Sequence, residues 1–164
     1  KSKKIMAMQT WFECKIRYEK VMENGMQKKV TEPYLVDALS FTEAEARIIE
    51  EMTPFISGEF TVSDIKRANY SELFPSDEES ADRWFKCKLI FITLDEKSGA
   101  EKKTSTQVLV QAADLRDAVK KLDEGMKGTM ADYQIGMVSE TPLMDVYPYS
   151  AEPNDKPEFD PSKA

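Results

Sequence analysis

A chain of 164 residues with a formal net charge of −7, 41% hydrophobic and 32% charged, reads as a soluble globular protein of one domain or two small fused ones. Such a length can bury a core without disulfide or metal staples, and the acidic balance argues against a broadly basic nucleic-acid binder while allowing a local basic strip. The absence of histidine removes Ser–His and Cys–His nucleophile pairs and the commonest zinc ligand.

Residues 1–9, KSKKIMAMQ, form a basic N-terminal extension without the apolar h-region of a signal peptide; Met6 or Met8 is the expected native start. The first repeat, residues 10–75, opens with WFECKIRYEK, whose alternation predicts a strand. After the turn ENG a second strand runs through Tyr34-Leu35-Val36-Asp37-Ala38. Ser40-Phe41-Thr42-Glu43 has the spacing of a capping box. Phe41, Ala44, Ile48, Met52 and Phe55 then step by three and four, predicting a helix that exits at Gly58. An extended segment from Phe60 to Pro75 closes the repeat; it is too long for one straight strand, so a bulge or bend is predicted near residues 63–68. Residues 76–83 follow as an acidic linker without periodicity.

The second repeat, residues 84–149, writes the same elements again. WFKCKLIFIT matches the first strand at an offset of 73, with Trp11/Trp84, Phe12/Phe85, Cys14/Cys87, Lys15/Lys88 and Ile16/Leu89 in register. The turn EKSG is one residue longer than ENG and moves the offset to 74, bringing Lys28-Lys29 onto Lys102-Lys103 and the second strands onto each other. Asp114 to Asp117 is the second cap; Leu115, Ala118, Val119, Leu122 and Met126 form the second apolar stripe, and Gly128 marks its exit. Tyr133-x-Ile135 and Val146-Tyr147-Pro148 repeat Phe60-x-Val62 and Leu73-Phe74-Pro75, with a second bulge predicted near residues 136–142. The predicted fold class is α+β: two tandem ββαβ repeats of antiparallel sheet, each too small to close its own core, packed into one pseudo-twofold body. Residues 150–164, SAEPNDKPEFDPSKA, read as a flexible acidic tail.

Alternation also assigns the faces. Phe12, Cys14, Ile16 and Tyr18, with Phe85, Cys87, Leu89 and Phe91 in the twin, form a core face. The two cysteines are then buried packing residues with reduced thiols, and a cytoplasmic location is the expectation. The opposite face presents Trp11, Lys15 and Arg17 in one copy and Trp84, Lys86 and Lys88 in the other. A ring followed by two cations on an open strand face suits single-stranded nucleic acid, with bases stacking on the ring and phosphates pairing with the cations. Lys28-Lys29, Lys66-Arg67 and Lys102-Lys103 would extend the strip. Against this stand Glu13 and Glu19 in the first copy and Ile90 and Ile92 in the second. The ordinary alternative is that each Trp laps onto the neighbouring repeat while the charges are simply solvated.

No phosphate loop, GxGxxG or zinc spacing occurs, and no apolar run approaches a membrane span. The carboxylate runs Glu50-Glu51 and Asp77-Glu78-Glu79 fall on helix or linker surface. Glu72 and Asp145 hold equivalent repeat positions, where a shared structural hydrogen bond is the expectation. The expectation is therefore no enzyme, no cofactor, no metal and no membrane partner.

The strand WFECKI, the helix start SFTEAEA and the strand NYSELF resemble a family of small proteins of Bacteroides-type bacteria and their phages and mobile elements, classed only as a domain of unknown function. The resemblance spans residues 8–149. It implies no catalytic residues, and its phage setting implies DNA replication or transfer. The expected function is a non-enzymatic binding protein, with single-stranded DNA as first ligand, through Trp11, Lys15, Arg17, Trp84, Lys86 and Lys88. The alternative is a protein-interaction accessory module that uses the sheet face, a free edge or the acidic tail.

Overall fold

The structure, a computed structural model, describes residues 4–149. The first half comprises β1 (Thr10–Val21), β2 (Gln27–Ala38), α1 (Phe41–Met52), β3 (Phe60–Ala68) and β4 (Glu72–Phe74). The second repeats the order as β5 (Arg83–Leu94), β6 (Glu101–Ala112), α2 (Leu115–Gly125), β7 (Asp132–Glu140) and β8 (Asp145–Tyr147). The tail assigned to residues 150–164, and residues 1–3 of the N-terminal extension, lie outside the described residues.

The α+β class and the duplicated ββαβ order are as the sequence predicts, with one correction. The extended segment that ends each half is two strands, and they go to different sheets. One sheet has the order β3-β1-β2-β8 and the other β4-β6-β5-β7. β4 crosses into the second half and pairs with β6 from Glu72↔Val108 to Phe74↔Val110, while β8 crosses back to β2 from Tyr34↔Asp145 to Val36↔Tyr147. The two halves thus exchange their last strands. Both exchanged strands pair in parallel, whereas the remaining ladders are antiparallel as expected. The bulges lie at the start of the predicted windows: the register shifts between Lys15 and Ile16 opposite Ser63, and between Lys88 and Leu89 opposite Gly136.

Each helix is placed by its cap and by its apolar stripe. Ser40 Oγ accepts from the Glu43 N–H at 3.1 Å, and Glu43 Oε1 accepts from the Leu39 N–H at 2.7 Å. Asp114 and Asp117 make the same pair of bonds at 2.8 and 2.9 Å. Ala44, Ile48 and Met52 of α1 are buried over Phe12, Cys14, Ile16 and Val36; Ala118 and Leu122 of α2 are buried over Phe85, Cys87, Leu89 and Val110. Phe74 arrives in this second core from the first half, and Tyr147 packs against the first core from the second half, stacked on Tyr34. Gly125 makes room for Phe74: a Cβ there would lie 2.6 Å from the Phe74 ring.

A third cluster joins the halves. Trp11, Leu35, Leu73, Trp84, Leu109 and Leu143 are buried together, and ladder alternation puts the strand members on the faces turned away from the helices. Equivalent cations then fasten the chain just after each exchanged strand. Arg47 of α1 donates to the Asp37 and Pro148 carbonyls. Lys121 of α2 bonds Glu78 at 3.1 Å and Asp117 at 2.9 Å. Burial pushes the Lys121 ammonium down, but its bonds to Asp117 and Glu78 outweigh that effect and hold its pKa above the ordinary lysine value.

Candidate nucleic-acid interface

The stacking face expected around two open tryptophans is absent. Trp11 is 1% exposed and Trp84 5%, because each ring lies in the cluster that joins the two sheets. The alternative in which each Trp laps onto the neighbouring repeat is the arrangement found. Trp11 Nε1 is buried and has no hydrogen-bond partner among the described residues. Burying that donor opposes folding, so apolar contact is what holds the ring.

Lys15, Arg17, Lys86 and Lys88 do lie on the back faces, one ladder row after another beyond the tryptophans. Arg17 and Lys88 are exposed; Lys15 and Lys86 are partly covered. The two sheets differ in how these charges are met. On the first sheet Glu13 pairs with Lys66 at 3.9 Å. Lys15 has Asp64 as its neighbour on β3, and Glu19 stands opposite Lys29. Arg17 lies between Thr31 and Thr61. On the second sheet Lys86 lies between Leu109 and Ser139, and Lys88 between Gln107 and Met137, with no acid in either row. Lys103 lies on the same face beside Ile92, and only there does an acid, Asp132, enter a row. The duplication therefore preserves the position of the cations but not their neutralisation.

Cys14 and Cys87 are fully buried. Burial pushes both thiols up to about 12, with Glu13, Asp64 and Glu45 adding to the effect at Cys14. Both stay protonated near neutral pH, so neither is a nucleophile there. Glu72 and Asp145 do not share one hydrogen bond. Glu72 forms an ion pair with Lys4 at 3.6 Å, whereas Asp145 accepts from the Val146 N–H at 2.8 Å. Among the described residues no group of three or more Cys, Asp or Glu side chains is placed to hold a metal ion, and no helix is long and apolar enough to cross a membrane.

A feature that the sequence reading missed lies at the far end of the first half. A cleft of about 870 Å³ opens there between β1, the start of β2 and the chain that leads into β3. Arg17, Lys20 and Lys29 line it with Glu19 and Glu59 and with Phe55, Ile56 and Phe60, and Lys20 pairs with Glu32 at 3.6 Å. Phe55 falls on the apolar stripe predicted for the first helix, yet it lies past the end of α1 and is 77% exposed. That unspent aromatic at the helix exit was the available signal.

No curated protein and no solved structure matches the chain. The profile of one family, described as Domain of unknown function (DUF4494), matches residues 10–149, from the start of β1 through the exchanged β8. The chain belongs to that family, DUF4494, whose matched span takes in both halves and the strands they trade.

Proposed function

We propose that the protein is a non-enzymatic binding module for single-stranded DNA, held along the back of the second sheet and not on the tryptophans. The observation that carries this reading is the set Lys86, Lys88 and Lys103, of which Lys86 and Lys88 have no acid in their ladder rows. Polyanion binding needs such uncompensated cations, and the first sheet largely cancels its own. Ile90, Ile92 and Met137 lie among the lysines and offer apolar ground for bases in place of the buried rings. A phage or mobile-element setting in Bacteroides-type bacteria, inside a reducing cytoplasm, belongs to the same reading.

The test is fluorescence anisotropy of a labelled oligo-dT at 50 and 200 mM salt. Each phosphate contact on a single strand contributes roughly 0.7 to the slope of log K against log salt, so Lys86→Glu/Lys88→Glu should flatten that slope by about 1.4. Lys15→Glu/Arg17→Glu should change it less. Wild-type protein that binds no oligomer at 50 mM salt overturns the proposal.

A second reading, a protein-interaction module, is favoured by apolar side chains exposed at the far ends of both halves: Val21, Met22 and Met26 in one, Leu94 and Met130 in the other. Binding that is insensitive to salt and is lost in Met26→Ser or Met130→Ser would support that reading over the first.

A further inference from the structure

The duplication builds the same sheet edge twice, and one of the two is covered. β4 is the outer strand of the second sheet, and the chain just before β1 lies against it. Ile5 forms an antiparallel bridge with Leu73, donating its N–H to the Leu73 carbonyl at 2.8 Å and accepting the Leu73 N–H at 2.7 Å. Lys4 adds an ion pair with Glu72 at 3.6 Å and lies 6.0 Å from the centroid of the Phe74 ring. Ile5 also packs on the cluster that joins the halves. Under this cover Leu73 is 0% exposed and Phe74 1%.

β8 is the same strand in the first sheet. Asp145, Val146 and Tyr147 stand where Glu72, Leu73 and Phe74 stand, and each triplet pairs in parallel with its inner neighbour at the equivalent register. Among the described residues no strand or bridge lies on the outer side of β8. Val146 and Tyr147 are accordingly only half-buried, and Met144 and Asp145 are exposed. The counterpart of Ile5 at the offset of 73 is Glu78, which accepts from Lys121 of α2 and does not reach β8. The N–H of Val146 is met by its neighbour Asp145, whose Oδ1 accepts it at 2.8 Å. An unpaired edge of this kind can take an extended peptide, with backbone hydrogen bonds supplying affinity and side chains supplying selectivity.

The chemistry of the edge selects the segment. On β8, as on β4, an acid, an outward peptide group and an aromatic ring follow one another, so a basic residue followed by an aliphatic one fits in the antiparallel sense. The surrounding charge agrees. Asp145 and Glu51 both act on the Tyr147 phenol, while Arg47 is taken up by the Asp37 and Pro148 carbonyls and lies 5.6 Å from the centroid of the Tyr149 ring. A carbonyl arriving at Val146 takes its N–H and frees Asp145 for the basic side chain. A second copy is the poorer source, because its own Lys4-Ile5 is held on β4, and its Met8 and Gln9 N–H groups donate to Asp37 at 2.6 and 3.0 Å.

We infer that the outer edge of β8 is a docking site for an extended segment of a partner protein, in which a basic residue precedes an aliphatic one, bound antiparallel as Lys4-Ile5 is bound on β4. The site lies on the other sheet from Lys86 and Lys88 and stands independently of DNA binding.

The probe is a synthetic peptide of residues 1–8, KSKKIMAM, titrated into the nitrogen-15-labelled full chain. Amides of Asp145–Tyr147 and of the adjacent Tyr34–Val36 should shift and saturate at millimolar peptide or below, and those of Glu72–Phe74, already paired, should not move. Lys4→Glu and Ile5→Asp versions of the peptide should leave the spectrum unchanged. Asp145→Lys in the protein, which alters an exposed residue, should abolish the shifts, whereas Lys86→Glu/Lys88→Glu should leave them as they are. No shift at millimolar peptide overturns the inference, as do shifts that survive Asp145→Lys or that are confined to Glu72–Phe74, where the peptide would only be exchanging with the chain's own segment. Shifts at Asp145–Tyr147 that appear on concentrating the protein alone also overturn it, because the occupant would then be a second copy.

Discussion

Trp11 and Trp84 stand at matching repeat positions, and alternation assigned both correctly to the face opposite the helices. Which surface meets that face is a separate matter, and there each ring finds the other sheet. Trp11→Ala should therefore cost about 3–5 kcal/mol of stability, in the range for large core truncations, measured by urea unfolding; a cost under 1 kcal/mol would mean that the ring is not part of the core. The thiols yield a pH prediction. Burial raises Cys14 and Cys87 from 9.0 to about 12 and Tyr147 from 10.0 to about 12, with Asp145 and Glu51 adding to the rise at Tyr147. These groups hold their protons more tightly when folded. Their contribution to stability is therefore complete below pH 9 and is lost as pH climbs from 9 toward 12. The urea midpoint should fall steadily across that window, and a midpoint unchanged to pH 11 would contradict the buried placement.

At the scale of the element, local chemistry was legible because it acts over a few residues. The capping spacings, the turn insertion and both bulges were readable, since each depends on neighbours in the chain. The fate of Leu73-Phe74 and Val146-Tyr147 was not. An alternating segment looks the same whichever sheet receives it, and the exchange is decided by which core has room. Gly125 illustrates this. Gly→Ala inside a helix ordinarily stabilises by about 1 kcal/mol, yet here a Cβ would strike Phe74 of the exchanged β4. Gly125→Ala should lower the melting temperature, and a rise would show that β4 does not pack against α2. Leu73→Ala should cost about 2–5 kcal/mol. Although Leu73 belongs to the first repeat by sequence, hydrogen exchange should quicken in β5 and β6 of the second.

For the whole molecule, the exchanged strands and the shared cluster make each half part of the other's core. Heating should give one transition with equal calorimetric and van't Hoff enthalpies; two separable transitions would mean that the exchange contributes little. The duplication also separates what was inherited from what diverged: the two sheets keep the same strand order, but only the second leaves its back-face lysines without acidic neighbours. By itself the sequence determined the duplicated α+β order, the helix-facing core residues including both cysteines, and the positions of Lys15, Arg17, Lys86 and Lys88 on the reverse face. It could do so because periodicity and capping are short-range. Only the tertiary structure decided that the tryptophans are interior, that the last strands change sheets, and that a cleft lined by aromatic and charged side chains opens beside Phe55. Each of these depends on contacts between residues far apart in the chain, where burial is settled by the surface that arrives opposite and not by the strand that presents it.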